Sequence, residues 1–583
     1  MSFINYKKII WLLSIMGVAI SLNAQYRTTT YCNPINLDYT YPFHNSHLGK
    51  SYRSGADPAV VEFRGEYYMF VTRSWGYWHS KDLNNWEFIT PEKWYFEGCN
   101  APAAYNYKDS VLYVCGNPSG VMSILYTDNP KKGDWKPVPS ILRNLQDPAF
   151  FIDDDERSYM YWGSFNRWPI RAYELDKNNK FLPISNKVDS LLYLNPQEHG
   201  WERFGENHTS DIKPFIEGAW MTKYNGKYYL QYAAPGTQFN VYGDGVYIGD
   251  SPLGPFKYAE NNPFCYKPGG FATGAGHGST VKGPGGIYWH FGTIHLSINF
   301  KFERRLAMFP TFFDEDGLMY SDTYFGDYPH YTPDQPNRQK ENGGFRGWML
   351  LSYNKPVKAS SQKKNYPITN IVDENLKSYW VAEKNDSTQW VEIDLENIST
   401  VYAIQLNFFD FEEKKLWGRM PELYQRYWIE SSLDGKKWET IADYKNSYKD
   451  APHNYIELDK AIKTRFIRYR HLNIPNKHLA MGDIRIFGIG NGNKPSKVKN
   501  LTIVRDKDTR NALITWDSVK NAQGYNLLWG ISPDKLYSSY MIYKNKGTSL
   551  ELRSLNKNQE YYFAIEAFNE NGISERIVLN KAY

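Results

Sequence analysis

The chain has 583 residues, more than one hydrophobic core usually organises, so two to four domains are expected. Its 68 lysine and arginine residues nearly balance 63 aspartate and glutamate residues, and this net charge of +5 is too even for a nucleic-acid-binding surface. A hydrophobic fraction of 42% excludes a polytopic membrane protein. Aromatic residues make up 17% of the chain and, with 43 glycines and 31 prolines, favour strands and tight turns over helices.

The first 24 residues have the features of an export signal. Lys7 and Lys8 precede an apolar run at residues 9–22, which is shorter than a membrane-spanning helix requires. Small residues then lead to a cleavage position after Ala24. An N-terminal membrane anchor is the alternative, and the flanks and the length fit it less well. We therefore expect a signal peptide at residues 1–24, export to the periplasm or the cell exterior, and no stable membrane insertion.

Residues 25–344 contain five repeating units, each a turn followed by paired short strands rich in aromatic residues. The units begin at Asp57, Ala101, Asp147, Glu217 and Gly276. Intervals of 44 to 70 residues suit four strands and three turns, the size of one propeller blade. No long amphipathic helical window interrupts the units, which argues against an α/β barrel. We predict a five-bladed β-propeller.

Two further β regions follow. Residues 345–490 show the alternating pattern of an antiparallel β-sandwich. Residues 491–495 form a linker by composition. Residues 496–583 have the pattern of a smaller β-sandwich in which Trp516 is a candidate core residue. The predicted fold class is therefore all-β over the whole mature chain.

Three of the five units begin with an acidic residue in the same place: Asp57, Asp147 and Glu217. The innermost strand of each propeller blade faces the central axis, so these side chains are expected to converge. Convergent carboxylates raise one another's pKa, and such a cluster usually holds a metal or performs acid–base chemistry. Cleavage of a glycosidic bond needs one acid and one carboxylate. The alternative is that each acid only accepts backbone N–H groups where its strand begins.

The motifs SGADPAVV, LQDPAFF, FIEGAW and GAGHGS, in this order, resemble glycoside hydrolase family 43, whose catalytic domain is a five-bladed β-propeller. The resemblance implies Asp57 as general base, Glu217 as general acid, and Asp147 as the residue that orients the acid and tunes its pKa. The family inverts the anomeric centre, which implies carboxyl groups of base and acid about 6.5–9.5 Å apart. His277 matches a family histidine near a central ion, often calcium. The alternative is a histidine packed in the channel, and no organic cofactor is implied.

Candidate substrate-binding residues lie in two segments. Trp75 and Tyr77 follow the first hairpin, where aromatic rings can stack on a sugar, although packing between blades is their commoner role. Glu206 and His208 lie in an insertion before the fourth unit, where they either bind sugar hydroxyls or remain solvated.

The resemblance implies an exported inverting glycosidase that acts on plant-type oligosaccharides or polysaccharides. An α-L-arabinofuranosidase or a β-xylosidase is the preferred interpretation. The alternatives are a β-galactosidase or galactan-degrading member of the family and a non-catalytic carbohydrate-binding propeller.

The two C-terminal regions also resemble known domains. Residues 345–490, through SYWVAEKNDSTQWVEIDL and RFIRYRHLNIPNKHLAMGDIRIFG, resemble discoidin-like (coagulation-factor C-type) domains, which commonly bind carbohydrate in exported bacterial enzymes. A structural spacer is the alternative. Residues 496–583 resemble a fibronectin type III domain, which would be a spacer or would engage protein in a surface adhesin. Deletion of residues 345–583 is expected to abolish adhesion but to leave a glycosidase active on small substrates.

Overall fold

The computed structural model describes residues 28–583 apart from 43–44, 94–95, 139–141, 342, 580 and 582, with the backbone alone at 45–46 and 117–122. The predicted signal peptide at residues 1–24 lies outside the described residues. Strands dominate: the described α-helices are α1 (Asn45–Leu48) and α2 (Pro336–Lys340). None of the described helices is long and apolar enough to span a membrane. Single 3-10 turns lie at Pro130–Lys132, Lys177–Asn179, Gly200–Glu202, Glu206–His208, Pro284–Gly286, Ile368–Ile371 and Lys544–Lys546.

Five antiparallel sheets follow one another between residues 59 and 321, after a short strand β1 (Thr30–Tyr31). The first contains β2 (Ala59–Phe63), β3 (Glu66–Phe70), β4 (Tyr77–Ser80) and β5 (Trp86–Ile89). The second contains β6 (Asn100–Tyr107), β7 (Ser110–Met122), β8 (Leu125–Thr127), β9 (Lys136–Pro137) and β10 (Leu142–Leu145). The third contains β11 (Ala149–Ile152), β12 (Ser158–Trp162), β13 (Ile170–Asp176), β14 (Leu182–Pro183) and β15 (Asp189–Leu192).

The fourth sheet contains β16 (Glu217–Tyr224), β17 (Lys227–Ala234), β18 (Gly243–Gly249) and β19 (Phe256–Tyr258). The fifth contains β20 (Gly276–Lys282), β21 (Tyr288–His295), β22 (Arg304–Phe313) and β23 (Met319–Ser321). Strand β24 (His330–Tyr331) then pairs with β1.

The five sheets close into a ring. The first strand of each sheet, β2, β6, β11, β16 and β20 in turn, contacts the first strand of the next, and β20 contacts β2. Aromatic and aliphatic side chains fill the wedges between neighbouring sheets, as in the cluster of Phe70, Tyr77, Phe96 and Trp135 between the first two. This packing accounts for much of the aromatic excess in the sequence.

The second region is one eight-stranded antiparallel sheet around its own apolar core. Its strands are β25 (Met349–Leu350), β26 (Val357–Ala359), β27 (Trp380–Val381), β28 (Trp390–Phe408), β29 (Arg426–Ser432), β30 (Glu439–Asp443), β31 (His453–Asn473) and β32 (Ala480–Ile489). The irregular segment 491–495 follows it, and the Asn493 carbonyl accepts amide N–H groups of Asn521 and Asn569.

The third region consists of two sheets that share a core in which Trp516 is buried, as predicted. One sheet contains β33 (Thr502–Arg505), β34 (Ala512–Thr515) and β37 (Ser549–Leu552). The other contains β35 (Gly524–Gly530), β36 (Ser538–Tyr543), β38 (Tyr562–Asn569), β39 (Gly572–Ile573) and β40 (Ile577–Leu579).

All three regions meet in one buried junction. Its apolar core contains side chains from every region. They are Cys32, Phe325 and Tyr328 of the ring region, Trp348, Met349, Leu350, Tyr353, Ala403 and Phe487 of the second region, and Met541, Tyr543 and Phe568 of the third. Within it Arg485 forms a two-bond ion pair with Glu374 at 2.8 and 3.1 Å. Arg485 also donates to the carbonyl of Asp327, and the Tyr543 hydroxyl donates to Glu374 at 2.9 Å. The three regions therefore pack against one another and are not joined by linkers alone.

Candidate active site

Each of the five sheets begins at a residue whose backbone lies in the left-handed (positive φ) region. These are Asp57 (φ 55°), Ala101 (φ 40°), Asp147 (φ 46°), Gly218 (φ 64°) and His277 (φ 45°). A positive φ at a residue other than glycine costs on the order of 1–3 kcal/mol, and such positions cluster at functional sites. The recurrence of the bend in all five sheets repeats one local geometry around the ring.

Four of the five bend residues, and Glu217 next to the fifth, line a common cavity of about 450 Å³. Asp57, Asp147, Glu217 and His277 all line it, although 220 positions separate the first from the last. Loops that join the second and third strands of the sheets lie at the same end of the ring and supply a further part of the wall: Thr72, Arg73, Ser164, Thr237, Phe300 and Phe302. The structure thus brings together the acidic residues that the repeat predicted.

Asp57 is buried and held as a carboxylate. Thr72 donates its hydroxyl hydrogen to Oδ2, and Arg304 Nη1 lies 3.3 Å from Oδ1. Burial by itself favours the protonated form, but Arg304, His277 and the Thr72 hydrogen bond outweigh it and hold the pKa of Asp57 below its usual value. Asp57 can therefore accept a proton, or activate a water molecule, at neutral pH.

His277 lies between two of the acids. Its Nδ1 is 3.4 Å from Asp57 Oδ1 and 3.6 Å from Asp147 Oδ2, and its backbone N–H donates to Asp244 at 2.7 Å. Burial disfavours the charged ring, yet the carboxylates of Asp57, Asp147 and Glu217 overcome that effect and raise the pKa of His277. The histidine is a cationic partner of the acids.

Asp147 and Glu217 both lie next to Ser164. Ser164 donates its hydroxyl hydrogen to Glu217 Oε2 at 3.0 Å, and Tyr242 donates to Glu217 Oε1 at 2.6 Å. Burial raises the pKa of Asp147 to about 7 against the opposing charge of His277, and the carboxylates of Glu217 and Asp57 raise it further. The pKa of Asp147 thus lies near neutrality, beside Glu217.

The donor set around His277 does not fit the predicted calcium site. Calcium prefers six to eight oxygen ligands, whereas Nδ1 of His277 is directed at two carboxylates and Arg304 already neutralises Asp57. Among the described residues no group of three or more His, Cys, Asp or Glu side chains is arranged to hold a metal ion. A cation bound to His277 through water stays a prediction, and acid–base chemistry by the carboxyl groups does not require it.

Trp75 and Tyr77 do not line the cavity. Tyr77 is fully buried, and its hydroxyl donates to the Pro130 carbonyl within the packing between the first two sheets. The prediction that Tyr77 binds substrate is therefore wrong, because its ring has no exposed surface. Trp75 lies outside the cavity wall and packs edge-to-face on Trp417 of the second region, with ring centroids 6.0 Å apart.

Glu206 and His208 lie away from the cavity as well. His208 is buried, and its two ring nitrogens lie 2.8 Å from the Arg203 carbonyl oxygen and 2.8 Å from the Tyr266 hydroxyl. Burial lowers the pKa of His208 to about 3, so the ring is a neutral structural element. Glu206 is exposed and lines a separate cleft between the ring and the third region. Neither residue can bind a sugar in the acidic cavity.

Sequence reasoning missed three polar partners in the site: Arg304, Ser164 and Tyr242. A signal existed for Arg304, because two adjacent arginines open the otherwise apolar strand β22 and buried arginines require partners. Tyr242 is one of 48 tyrosines, and Ser164 lies in an irregular loop, so neither carries a local signature.

Residues 52–319 match the family model of glycosyl hydrolases family 43. The matched segment contains the five first strands and the whole acidic cluster. Residues 356–482 match the model of the F5/8 type C domain, which is the discoidin-like domain predicted from the motifs. The resemblances drawn for these two regions are confirmed. The resemblance of residues 496–583 to fibronectin type III stays a prediction.

Curated relatives are similar over part of the chain. A xylosidase/arabinosidase 43A of Humicola insolens is 27% identical over 167 residues, 24% of this chain and 48% of that protein. A β-xylosidase of Xylanibacter ruminicola is 30% identical over 171 residues, 25% of this chain and 51% of that protein. A β-D-galactofuranosidase of Aspergillus niger is 26% identical over 272 residues, 40% and 72% of the two chains. The chain spans about half the length of the first two relatives.

Proposed function

We propose that this protein is an inverting glycoside hydrolase that removes α-L-arabinofuranosyl or β-xylosyl groups from plant-type oligosaccharides and polysaccharides. The observation that carries the proposal is the cavity in which Asp57, whose pKa is lowered, lies with Glu217 and with Asp147, whose pKa is raised to about 7. Acid–base cleavage of a glycosidic bond requires one carboxyl group that is ionised and another that carries a proton, and opposed pKa shifts supply these two states. The match to family 43 and the xylosidase and arabinosidase relatives support the same reaction.

In this mechanism Asp57 takes the proton of the attacking water, while Arg304 and His277 stabilise its charge before the reaction begins. Glu217 donates a proton to the leaving oxygen. Tyr242 and Ser164 fix the two oxygens of Glu217, so its orientation does not depend on the substrate. Asp147 orients Glu217 and tunes its pKa. After each turnover Asp57 releases the proton that it took from water, and Glu217 regains one from solvent.

A carbohydrate-binding propeller without catalysis would not require this arrangement, because binding alone gains nothing from carboxyl groups of opposed protonation state. We further propose that the ring of five sheets is a five-bladed propeller and that the two-sheet region at 496–583 is a fibronectin type III-like domain. The closed cycle of first strands supports the former, and the shared core of the two antiparallel sheets supports the latter. Export of the mature protein also remains part of the proposal.

Hydrolysis of aryl glycosides tests the reaction and the sugar together. The panel contains the α-L-arabinofuranoside, β-D-xyloside, β-D-galactoside and α-L-arabinopyranoside, with Asp57→Asn as the inactive control and NMR detection of the first-formed anomer. We expect activity on the arabinofuranoside or the xyloside, loss in the variant, and an inverted product. A product of retained configuration would overturn the mechanism. No hydrolysis of the panel or of plant polysaccharides would favour the carbohydrate-binding alternative.

The pH dependence of kcat/KM should have its alkaline limit near pH 7. Asp147 is protonated below its raised pKa of about 7, so the pair has its proton there and loses it as the pH rises through that value. The lowered pKa of Asp57 keeps the base ionised, so the rate should not decline between about pH 7 and pH 5. Initial rates on an unactivated glycoside from pH 4 to pH 9 check this. A rate that still increases at pH 8 would contradict it.

A further inference from the structure

A loop of the second region, residues 410–421, lies against the ring region beside the acidic cavity. Gly418 and Tyr41 exchange two backbone hydrogen bonds, of 2.7 and 2.9 Å. The N–H of Ser51 donates to the Glu413 carbonyl at 2.8 Å, and the N–H of Leu416 donates to the Ser51 hydroxyl oxygen at 2.8 Å. The loop is therefore anchored at both ends of the tip that carries Trp417.

The anchor points lie next to the cavity along the chain. Pro42, Tyr52 and Arg73 line the cavity, and each lies one or two positions from a residue that contacts the loop: Tyr41, Ser51 and Trp75. The tip of the loop therefore lies near the rim of the cavity, outside the wall itself, although it belongs to another region.

Trp417 is 56% exposed at this rim. Its ring packs edge-to-face on Trp75, and the neighbouring Gly418 has a φ of 73°, a backbone conformation that favours glycine. The indole is thus positioned by packing on one side and left open to solvent on the other. Two more exposed rings, Phe302 (38%) and Trp168 (57%), lie on loops at the same end of the ring.

Single exposed hydrophobic residues are ordinary, but an indole held in place at the mouth of a sugar cavity has a specific use. Its flat apolar face matches the C–H face of a sugar ring, and its fixed position lowers the entropy cost of binding. The loop carries charged neighbours in the segment DFEEKKLWGR, and Trp417 is the large hydrophobic side chain of that segment that is exposed.

We propose that Trp417 forms a binding subsite for a sugar residue outside the cavity, so that the discoidin-like region completes the substrate site of the ring region. The substrate class is then an oligosaccharide or polysaccharide chain that extends beyond the cavity, rather than a simple glycoside. This inference rests on the proposed function, since the cavity is taken to hold the sugar that is cleaved.

The test compares Trp417→Ala, Trp417→Phe and wild type in the full-length protein on two substrates: an aryl glycoside and an arabinose-substituted xylo-oligosaccharide. Tyr448→Ala is the matched control, an aromatic residue of the same region that is 72% exposed and lies at a different cleft. For Trp417→Ala the ratio of kcat/KM on the oligosaccharide to that on the aryl glycoside should fall roughly tenfold, through KM, and Trp417→Phe should restore most of it. Tyr448→Ala should leave the ratio unchanged.

An unchanged ratio in Trp417→Ala, with the melting temperature preserved, would overturn the subsite while leaving the proposed function intact. If wild type hydrolyses neither substrate, the proposed function fails and the subsite is judged by calorimetric binding of the same oligosaccharide. Binding about tenfold weaker in Trp417→Ala than in wild type would support the subsite, and equal or absent binding would overturn it.

Discussion

Replacement of Glu217 by glutamine should reduce kcat/KM about 10²–10⁴-fold on glycosides with poor leaving groups and far less on dinitrophenyl glycosides. The leaving oxygen of an alkyl or sugar glycoside must be protonated as its bond breaks, whereas an activated phenolate departs without help. Glutamine keeps the size of the side chain, and the hydroxyl groups of Tyr242 and Ser164 can rotate to meet an amide. The fold of the cavity should therefore persist.

The control for this substitution is Glu206→Gln, which makes the same chemical change at an exposed position outside the cavity. It should leave both rates unchanged. An equal loss of activity on both substrates in Glu217→Gln would contradict the assignment of Glu217 as the acid. Asp147→Asn, measured on the same pair of substrates, would then show whether the proton comes from Asp147 instead.

Deletion of residues 345–583 should not leave a folded enzyme. This expectation corrects the one drawn from the sequence, which treated the C-terminal regions as separable. The junction core joins all three regions, so truncation would expose Phe325, Tyr328 and the buried polar groups around Asp327. On the other side of the ring, Arg53 would lose its buried partners Asp410 and Asp450. We expect aggregation of the fragment, measured by size-exclusion chromatography and thermal unfolding.

A point substitution tests, without truncation, how strongly the buried junction stabilises the three regions. Arg485→Ala should lower the free energy of unfolding by about 3–5 kcal/mol, because Glu374 is left as an uncompensated buried charge. The matched control is Arg465→Ala, whose ion pair with Asp394 is 41% exposed on the arginine side and should contribute about 1 kcal/mol or less. Chemical denaturation of both variants checks the difference. A soluble, active fragment of residues 25–344 together with a mild Arg485→Ala effect would show that the junction is dispensable.

The positions of the acids could be predicted because a repeat relates them. Once the five units were aligned in sequence, Asp57, Asp147 and Glu217 stood at the starts of three units, and a closed ring brings the starts of its units together. In the structure Glu217 lies one position before the bend at Gly218, whereas Asp57 and Asp147 lie at their bends. The partners that tune them follow no repeat. Arg304 reaches Asp57 from 247 positions away, and Tyr242 reaches Glu217 from a loop. Which acid keeps a proton depends on these partners, so it could not be inferred from spacing.

The roles of the aromatic residues, in contrast, could not be predicted from the sequence. Trp75 and Tyr77 are two positions apart and equally suited to a sugar by type, yet Tyr77 is buried between sheets and Trp75 supports Trp417. Burial results from the packing of neighbouring sheets, and no local pattern distinguishes a core ring from a rim ring in a chain that is 17% aromatic.

By itself, the sequence determined the all-β character, the order of the regions and the identity of the acidic residues, because strand patterns, turns and repeats are local properties of the chain. Only the tertiary structure decided the protonation states, the limits of the cavity and the dependence of the three regions on one another. Those properties arise from burial and from contacts between residues hundreds of positions apart. The position of Trp417 also depends on tertiary structure, because the residue comes near the rim only when the discoidin-like region packs against the ring.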